Sequence, residues 1–424
     1  MDIISQIAPE LNHIIGQLVQ WIHSLVPSYG LAVILFTVFL KIITLPMDYW
    51  QRYSMRKNML LQKKLKPFTD QIDRKYAVDP SDSKYQENQR IAASEKQALY
   101  KKYGYSLSAG CLPMIIMMAI FLFMFDGFRV YSNYSNTLIY NNLVNTFNTA
   151  YTVSLPEEER NEFIAQLNAF DAEIAQLHNA IALLEAKLKT APEAEKPLIQ
   201  DEIDELSLSL EIKTIQRKDI FDEKNRREKQ ASEYAAQQVG LAFDNIHEPF
   251  LWIKNIYRAD SWQSVWPTYS EMSQQLSEAQ KVSFTESDYN LIYNAVMEYS
   301  ETGKGYFDSH WNGLLILPLL SIGLSFLSTI ISQRLNRTKD DVVDEQTQKS
   351  NRMMMFMMPI MLAFFVFTYT AAFAVYMVSN SFLSILSSIA MTPIINKSAQ
   401  KKVDADFISR EPSYSRTVSY THLT

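Results

Sequence analysis

Charge, cysteine and glycine are each scarce in this sequence or in parts of it, and each scarcity excludes a class of protein. Among its 424 residues the one cysteine, Cys111, excludes an intramolecular disulfide framework and a cysteine-based zinc site. Ten glycines are too few for a collagen-like chain. Residues 103–125 and 353–395 contain no Asp, Glu, Lys, Arg or His. Uncharged apolar runs of this length are typical of membrane spans, which excludes an ordinary soluble enzyme.

The apolar runs predict an all-α integral membrane protein with five transmembrane helices. One span needs roughly 20 residues, because a helix rises about 1.5 Å per residue and the hydrocarbon core is about 30 Å thick. The uncharged run at 353–395 is 43 residues long, which is enough for two spans joined by a turn near residues 370–374. The predicted spans are residues 29–47, 107–128, 312–331, 353–372 and 374–395.

The first 28 residues contain no Lys or Arg and therefore lack the basic start of a secretory signal. Apolar residues recur in this segment at helical spacing, which predicts an amphipathic helix over 1–28 that lies in the membrane interface. These residues are Ile14, Ile15, Leu18, Trp21, Ile22 and Leu25.

The charges of the loops predict the orientation. The loop 48–106 holds 13 Lys and Arg against 7 Asp and Glu, and the positive-inside rule places such a short basic loop in the cytoplasm. The N-terminus and the long segment 129–311 are then outside. The loop 332–352 and the tail 396–424 are then cytoplasmic, so the prediction is N-out and C-in.

The loop 48–106 is predicted to be a cytoplasmic helical hairpin. Its first arm, 49–77, ends before Asp79-Pro80, because the residue before a proline disfavours helix. Ser83 and Gln86 have the spacing of a capping box for the second arm, which stops near Gly104. This basic hairpin could contact lipid head groups, ribosomal RNA or an incoming chain. A solvated charged loop remains the alternative.

The external segment contains a heptad pattern that predicts an antiparallel coiled-coil hairpin over 157–236. Pro192 and Pro197 lie in the turn, and a weaker seam follows through Ile199, Ile203, Leu206 and Leu210. This hairpin could bind a partner, or it could be an inserted, self-packed spacer. The first seam steps by four and three residues through Phe163, Leu167, Phe170, Ile174, Leu177, Ile181, Leu184 and Leu188.

Lys41 is the candidate functional cation, because it lies inside the first predicted span, six positions before Met47. A charged side chain in the bilayer centre costs about 2.5–3.5 kcal/mol on insertion scales and usually faces a bundle interior or a wet cavity. Asp126 is the only carboxylate within another predicted span, so Lys41 is expected to be unpaired and available to an acidic visitor. The alternative is that its long stem snorkels to the cytoplasmic interface.

Polar and methionine side chains complete the candidate site. Span three carries Ser321, Ser325, Ser328 and Thr329, and span five carries Ser379, Asn380, Ser381, Ser384, Ser387 and Ser388. These hydroxyls could line a polar groove, or they could pack between membrane helices in the ordinary way. Methionines adapt to varied apolar partners, which suits a slide for hydrophobic segments, although plain packing explains them too. The slide candidates are Met117, Met118, Met354 and Met358.

Known catalytic and metal-binding patterns are missing. The sequence contains no GxSxG, HExxH or P-loop pattern, and none of its six histidines lies within a predicted span. The net charge of -6 gives no support to DNA binding. We therefore predict a non-enzyme with no cofactor and no metal.

Several segments together resemble the YidC/Oxa1/Alb3 family of membrane protein insertases. The run from Thr37 to Lys41 followed by Leu45-Pro46 is similar to the family's first core span, and Phe250-Leu251-Trp252 is similar to its outer aromatic motif. The resemblance covers about residues 1–131 and 245–395. It rests further on Leu65-Lys66-Pro67, Lys75-Tyr76, the run from Leu99 to Gly104, Gly110-Cys111-Leu112-Pro113, Ile120-Phe121, Leu317-Pro318, Met358-Pro359, Tyr376 and Ser379-Asn380.

Some positions depart from the family's pattern. The family's groove cation is usually Arg, and Lys41 keeps the charge without the bidentate fork. Met117 and Ala119 stand where Gln and Pro are common, and Met377 stands where Trp is common. The hairpin 157–236 has no counterpart in the shorter members.

The resemblance implies a multi-pass protein of the bacterial plasma membrane that inserts and helps fold newly made membrane proteins. Its groove would open to the cytoplasm and the lipid, with nascent membrane proteins and lipids as partners and the ribosome and a Sec-type translocon as further candidates. The implied groove residues are Lys41, Thr37, Ser325, Ser328, Thr329, Met377 and Asn380. Two other functions stay open, a small-solute transporter and a membrane-anchored surface interaction protein.

Overall fold

Helices are the regular structure of this protein throughout the residues that the computed structural model describes, which are 4–105, 108–304, 311–336, 360, 367 and 369–410. Within these ranges the only β-type pairing is an isolated bridge between Phe250 and Ile253. The chain divides into two units. Unit 1 contains residues 4–9, 136–247 and 264–304, and unit 2 contains the other described residues.

Twelve helices are named within the described residues. In chain order they are α1 (Ile14–His23), α2 (Tyr29–Lys75), α3 (Tyr85–Lys102), α4 (Ser108–Ser154), α5 (Glu157–Thr190), α6 (Lys196–Ile246), α7 (Tyr269–Ser273), α8 (Glu278–Lys281), α9 (Glu286–Tyr299), α10 (Glu301–Lys304), α11 (Ile316–Asn336) and α12 (Ala371–Arg410).

Two described helices are long and apolar enough to cross a membrane, Tyr29–Lys75 and Ala371–Ser409, and a shorter apolar helix covers Ile316–Ser332. Each ends beyond the C-terminal limit of the span predicted for it, although the third begins later, at Ile316 rather than at residue 312. α2 continues through Pro46 and Pro67 for 47 residues, or about 70 Å, so the first span and the first arm of the hairpin are one helix. Most of the predicted span 353–372 lies outside the described residues, and the count of five spans stays a prediction.

The predicted helix over 1–28 is wrong in extent, because among the described residues 4–28 the helix covers Ile14–His23 alone. In unit 1, residues 4–9 are held without helix by two asparagine side chains. The Asn141 amide accepts from the Ile7 backbone N–H at 2.8 Å and donates to its carbonyl at 2.6 Å, and Asn148 does the same at Ile4. Backbone groups that these amides satisfy do not need helical partners.

The core of unit 2 lies where α2, α4 and α12 meet. Phe36 of α2 packs edge-on against Phe128 of α4 at 5.8 Å between ring centroids, and Phe128 contacts Tyr376 of α12 at 5.5 Å. α12 also packs along α11. Gly30 of α2 lies so close to the Phe250 ring that a Cβ at this position would be 2.1 Å from it. The close approach of α2 to Phe250 therefore requires glycine at position 30.

An irregular segment, 248–263, holds the start of α11. The Asp260 carboxylate accepts from the backbone N–H groups of Leu315 at 2.9 Å and Leu317 at 2.7 Å, which satisfies donors at the start of that helix. The side chain of Asn312 donates to the carbonyls of Asn255 and Ala259, each at 2.8 Å. The same segment meets α12, since the Ala372 N–H donates to the Ile256 carbonyl at 3.1 Å.

The helical hairpin predicted over 48–106 is present as the second half of α2 and α3, and the far end of α12 packs against it. Gly104 ends the hairpin with a φ of 80°, a left-handed conformation that glycine adopts without strain. The predicted capping box is wrong, because α3 begins after Lys84 with no side-chain cap. The apolar contact is formed by Leu60, Leu61, Leu65, Tyr103, Ala399 and Val403.

Unit 1 contains the second half of α4, the helices α5 and α6, and α7 to α10. α5 and α6 run antiparallel, and Lys213–Glu173, Arg217–Asp171 and Arg227–Glu159 pair across them. All eight residues of the first heptad seam are partly buried, while most of their α5 neighbours are exposed. Whether the two helices interlock as a coiled coil stays a prediction.

Candidate functional site

Lys41 is buried on the face of α2 that meets α12. Its side chain is 9% exposed, as is that of Asp48. The Lys41 ammonium donates to Asp48 Oδ2 at 2.6 Å and to Ser384 Oγ of α12 at 2.9 Å. Seven residues make two helical turns, so helix geometry alone puts Lys41 and Asp48 on one face.

The expectation that Lys41 is unpaired is therefore wrong. Asp48 lies one residue beyond the predicted span 29–47, so a search for carboxylates within the predicted spans does not reach it. The spacing of seven along a continuous helix is the signal that could have found it. The pair also argues against snorkelling, because the Lys41 stem and charge both lie among helices rather than reaching solvent.

Three helices contribute polar side chains around this ion pair. On α2, Thr37, Lys41, Thr44 and Asp48 are all buried and recur every three or four residues. On α12 the buried series is Ser381, Ser388 and Thr392, with Ser384 partly buried between them. On α11, Ser321 is buried, and Ser325 and Ser332 are partly buried.

Hydroxyl pairs join α11 to α12. Ser325 and Ser381 lie 3.0 Å apart through their Oγ atoms, and Ser332 and Ser388 are also 3.0 Å apart. Each pair joins residues 56 positions apart, so both helices keep the same register over two turns. The contact is thus a specific polar interface rather than only small-residue packing.

Several of the hydroxyls bond within their own helix. Thr37 donates to the Val33 carbonyl at 2.6 Å, and Thr329 donates to the Ser325 carbonyl at 2.9 Å. Such bonds satisfy a hydroxyl that faces an apolar neighbour. Thr37 and Thr329 therefore contribute polarity near the site and have no described bond to Lys41.

The charges alternate along this face of α2. Arg52 follows Asp48 by one turn and is attracted to it, and the Arg52 guanidinium donates to Ser332 Oγ of α11 at 3.3 Å. Arg56, which is buried, continues the face one turn further. Asp48 therefore lies between two cations, Lys41 and Arg52.

The other predicted groove and slide residues are spread around this centre. Met377 is buried, and Ser328, Asn380 and Met118 are partly buried. The structure places Ser384, one of the hydroxyls predicted for the groove, against Lys41, and it places Ser325 against Ser381. It adds Asp48, Ser332 and Arg52, which the sequence pattern does not single out. Met117 belongs to α4, but its side chain lies outside the description, as do Met354 and Met358.

The hairpin surface that meets α12 is tied by charge as well as by apolar contact. Lys64 pairs with Asp404 at 2.6 Å and lies over the Phe407 ring at 5.0 Å from its centroid. Lys57 pairs with Asp406 at 3.4 Å. The hydrogen bond from Lys64 helps to hold the pKa of Asp404 below its usual value. Lys57 and Lys64 of the hairpin are therefore each paired with an aspartate of α12.

Metal binding finds no support in the described part of the chain, where no group of three or more His, Cys, Asp or Glu side chains has the spacing of a metal site. What this site can do is attract a charge and hold polar groups within an apolar bundle.

Comparison with known proteins links these helices to one family. The family described as "60Kd inner membrane protein" matches residues 21–184 and 234–399, which include α2, α4, α11 and most of α12. The gap between the two matched segments falls within the α5–α6 hairpin. No solved structure matches the chain with significance.

Curated relatives carry the name membrane protein insertase YidC. A protein of Caldanaerobacter subterraneus is 35% identical over 121 residues, which cover 28% of this chain and 52% of the relative. A protein of Enterococcus faecalis is 36% identical over 104 residues, covering 24% of this chain and 34% of the relative. A protein of Chlamydia caviae is 35% identical over 99 residues, which cover 23% of this chain and 11% of the relative. The match thus spans about half of the first relative and less of the others.

Proposed function

Because the chain belongs to the 60Kd inner membrane protein family, the YidC/Oxa1/Alb3 family, we propose that it is a membrane protein insertase. The observation that carries the proposal is the polar centre of unit 2, where Lys41, Asp48 and Ser384 meet within an apolar helix bundle. A protein that moves polar tails across a bilayer needs polar groups at this depth, where they are otherwise costly.

The proposed mechanism needs no covalent chemistry. The acidic or polar N-terminal tail of a nascent membrane protein enters from the cytoplasmic side and is attracted to Lys41. Serines of α11 and α12 replace part of the water that the tail leaves behind, because hydroxyls both donate and accept hydrogen bonds. The hydrophobic segment that follows leaves sideways into lipid, where about 20 apolar residues make the inserted state favourable.

The proposal includes a bacterial plasma-membrane location, with five spans, the N-terminus outside and the C-terminus inside. The basic balance of residues 48–106 supports this orientation. The α2–α3 hairpin then lies in the cytoplasm, where it receives the nascent chain or the ribosome, and a Sec-type translocon is a further proposed partner. The α5–α6 hairpin then lies outside.

Complementation tests this function. The full chain is expressed in bacteria depleted of their own insertase, and protease protection of a short single-span substrate with an acidic tail is followed. We expect rescue by the parent and by Lys41→Arg, and a clear loss with Lys41→Ala. Equal rescue by the parent and Lys41→Ala would remove Lys41 from the mechanism. No rescue by a parent protein present in the membrane would contradict the function.

One observation favours a second function, a small-solute transporter. Charged groups inside transporters are commonly paired, and Lys41 has a carboxylate partner. Flux measurements in proteoliposomes separate the two, because a transporter moves a labelled solute with no nascent chain present. A surface interaction protein would instead depend on its external hairpin, so deletion of residues 157–236 would abolish its activity.

A further inference from the structure

Asp48 is placed to compete with a substrate for Lys41. It lies two turns along the same helix, so its carboxylate stays near the ammonium without any further ordering of the chain. A visiting carboxylate must lose translational and side-chain freedom to reach the same atom. The internal carboxylate therefore has an entropic advantage over the external one.

The surroundings also provide a second position for Asp48. Arg52 follows it by four residues, the spacing at which side chains on a helix meet, and the two attract each other. If Asp48 turns from Lys41 toward Arg52, its charge stays paired. Lys41 then keeps its bond to Ser384 Oγ, and the ammonium position that Asp48 occupied is open to a visitor.

We propose that Asp48 is a specificity-determining residue, an internal stand-in for the substrate carboxylate that an acidic tail must displace onto Arg52. The proposal rests on the proposed function. Its consequence is a low preference for acidic over neutral tails. A cation that is already neutralised gains little from one more carboxylate, so an acidic tail has only a small electrostatic advantage over a neutral polar one.

The test compares two single-span substrates that differ by one Asp→Asn change in their N-terminal tail. The quantity measured is the ratio of insertion rates, acidic over neutral, for the full chain in proteoliposomes. We expect Asp48→Asn to raise this ratio about fivefold, because the competing charge is gone. Asp48→Glu should keep the parent ratio, since the competing carboxylate is retained. Asp171→Asn, which removes an ion-paired aspartate on the α5–α6 hairpin, is the matched control and should also leave it unchanged.

Ser384→Asp covers the case in which Asp48→Asn fails to fold. It adds a carboxylate at the position that now bonds Lys41, while the Lys41–Asp48 pair remains. The proposal predicts that this variant lowers the acidic-over-neutral ratio below that of the parent. An unchanged ratio in folded Asp48→Asn, or in folded Ser384→Asp, would overturn the role of Asp48.

A binding measurement separates this proposal from the insertase function. A photoreactive peptide with the acidic tail, and its neutral twin, are cross-linked to the full chain in nanodiscs. Higher acidic-over-neutral yield in Asp48→Asn, mapped to α2 or α12, supports the competition even if no insertion occurs. Normal insertion by the parent with no change in either ratio would leave the function intact and refute the proposal.

Discussion

The buried ion pair of α2 and the ion pairs of the α5–α6 hairpin use the same chemistry in opposite surroundings. Lys41 and Asp48 are each 9% exposed, whereas Arg217 and Asp171 are 36% and 51% exposed. Exposed pairs contribute little to stability, and they fix which residues of two helices face each other. A buried pair costs desolvation, so its presence points to a use other than stability.

Removing one partner of the buried Lys41–Asp48 pair should cause the largest loss of stability. We expect Lys41→Met to lower the free energy of unfolding by about 3–5 kcal/mol, because it leaves the Asp48 carboxylate buried without its ammonium. Thermal unfolding of the purified chain in detergent measures this. The double variant Lys41→Met, Asp48→Leu should recover most of the loss. If Lys41→Met alone were as stable as the parent, the Asp48 carboxylate would have to be hydrated rather than buried.

Loss of an apolar contact should cause the next largest loss of stability. It can be compared with loss of an ion pair on the same surface. Leu61 is fully buried where α12 meets the α2–α3 hairpin, so Leu61→Ala should cost about 3 kcal/mol. Hydrogen exchange in α3 and the end of α12 should speed up. Asp404→Asn, which removes the exposed pair with Lys64, should change exchange there far less. The reverse order would mean that charge, not apolar burial, holds α12 to the hairpin.

The hydroxyl pair between α11 and α12 should have a smaller effect. Ser325→Ala removes one partner of the 3.0 Å contact with Ser381, and we expect a loss of about 1 kcal/mol in unfolding free energy. Adding Ser381→Ala in the same chain should cost little more, because the two residues share one bond. Fully additive losses in a double-mutant cycle would show that they act independently.

The smallest expected effect is a dependence of the stability of the α5–α6 hairpin on pH. Hydrogen bonds from Arg217 and Arg227 hold the pKa of Asp171 below 3.8 and the pKa of Glu159 below 4.5. A depressed carboxyl pKa adds stability that is complete above those ordinary values and is lost as the pH falls through the lowered ones.

Helix content and hydrogen exchange of the hairpin, followed from pH 7 downward, measure this dependence. High salt should blunt it, because both pairs are exposed and screened. In Arg217→Gln the part of the decline that belongs to Asp171 should disappear, because the pKa of Asp171 then no longer differs between the folded and the unfolded state. A hairpin whose exchange stays constant to acidic pH would show that its ion pairs contribute no stability.

The sequence predicted what periodicity and composition control. The heptad residues from Phe163 to Leu188 identified the less exposed side of α5, and the apolar runs located α2, α11 and α12. The helix stop at Gly104 was predicted as well, because few residues other than glycine adopt that φ. Each of these features depends on local preferences that a single segment carries.

The rest depended on contacts between segments distant in the chain. Nothing near Ile4 and Ile7 shows that Asn148 and Asn141 replace their helical hydrogen bonds. Ser384 is 343 residues from Lys41, so its place beside the ammonium follows only from the packing of α12 on α2. The pairing of Asp48 with Lys41 is predictable from the sequence, because it requires only that the first helix continues past Met47.

The seven-residue spacing of Lys41 and Asp48 has a consequence for the protein's own biogenesis. The ribosome makes α2 hundreds of residues before α12. For most of synthesis, therefore, no serine of α12 exists to accept a hydrogen bond from the Lys41 ammonium. Asp48 follows Lys41 almost at once, and a helix brings the two together by itself. The pair therefore neutralises the Lys41 charge before the neighbouring helices are made, so α2 can enter lipid without exposing an unpaired ammonium.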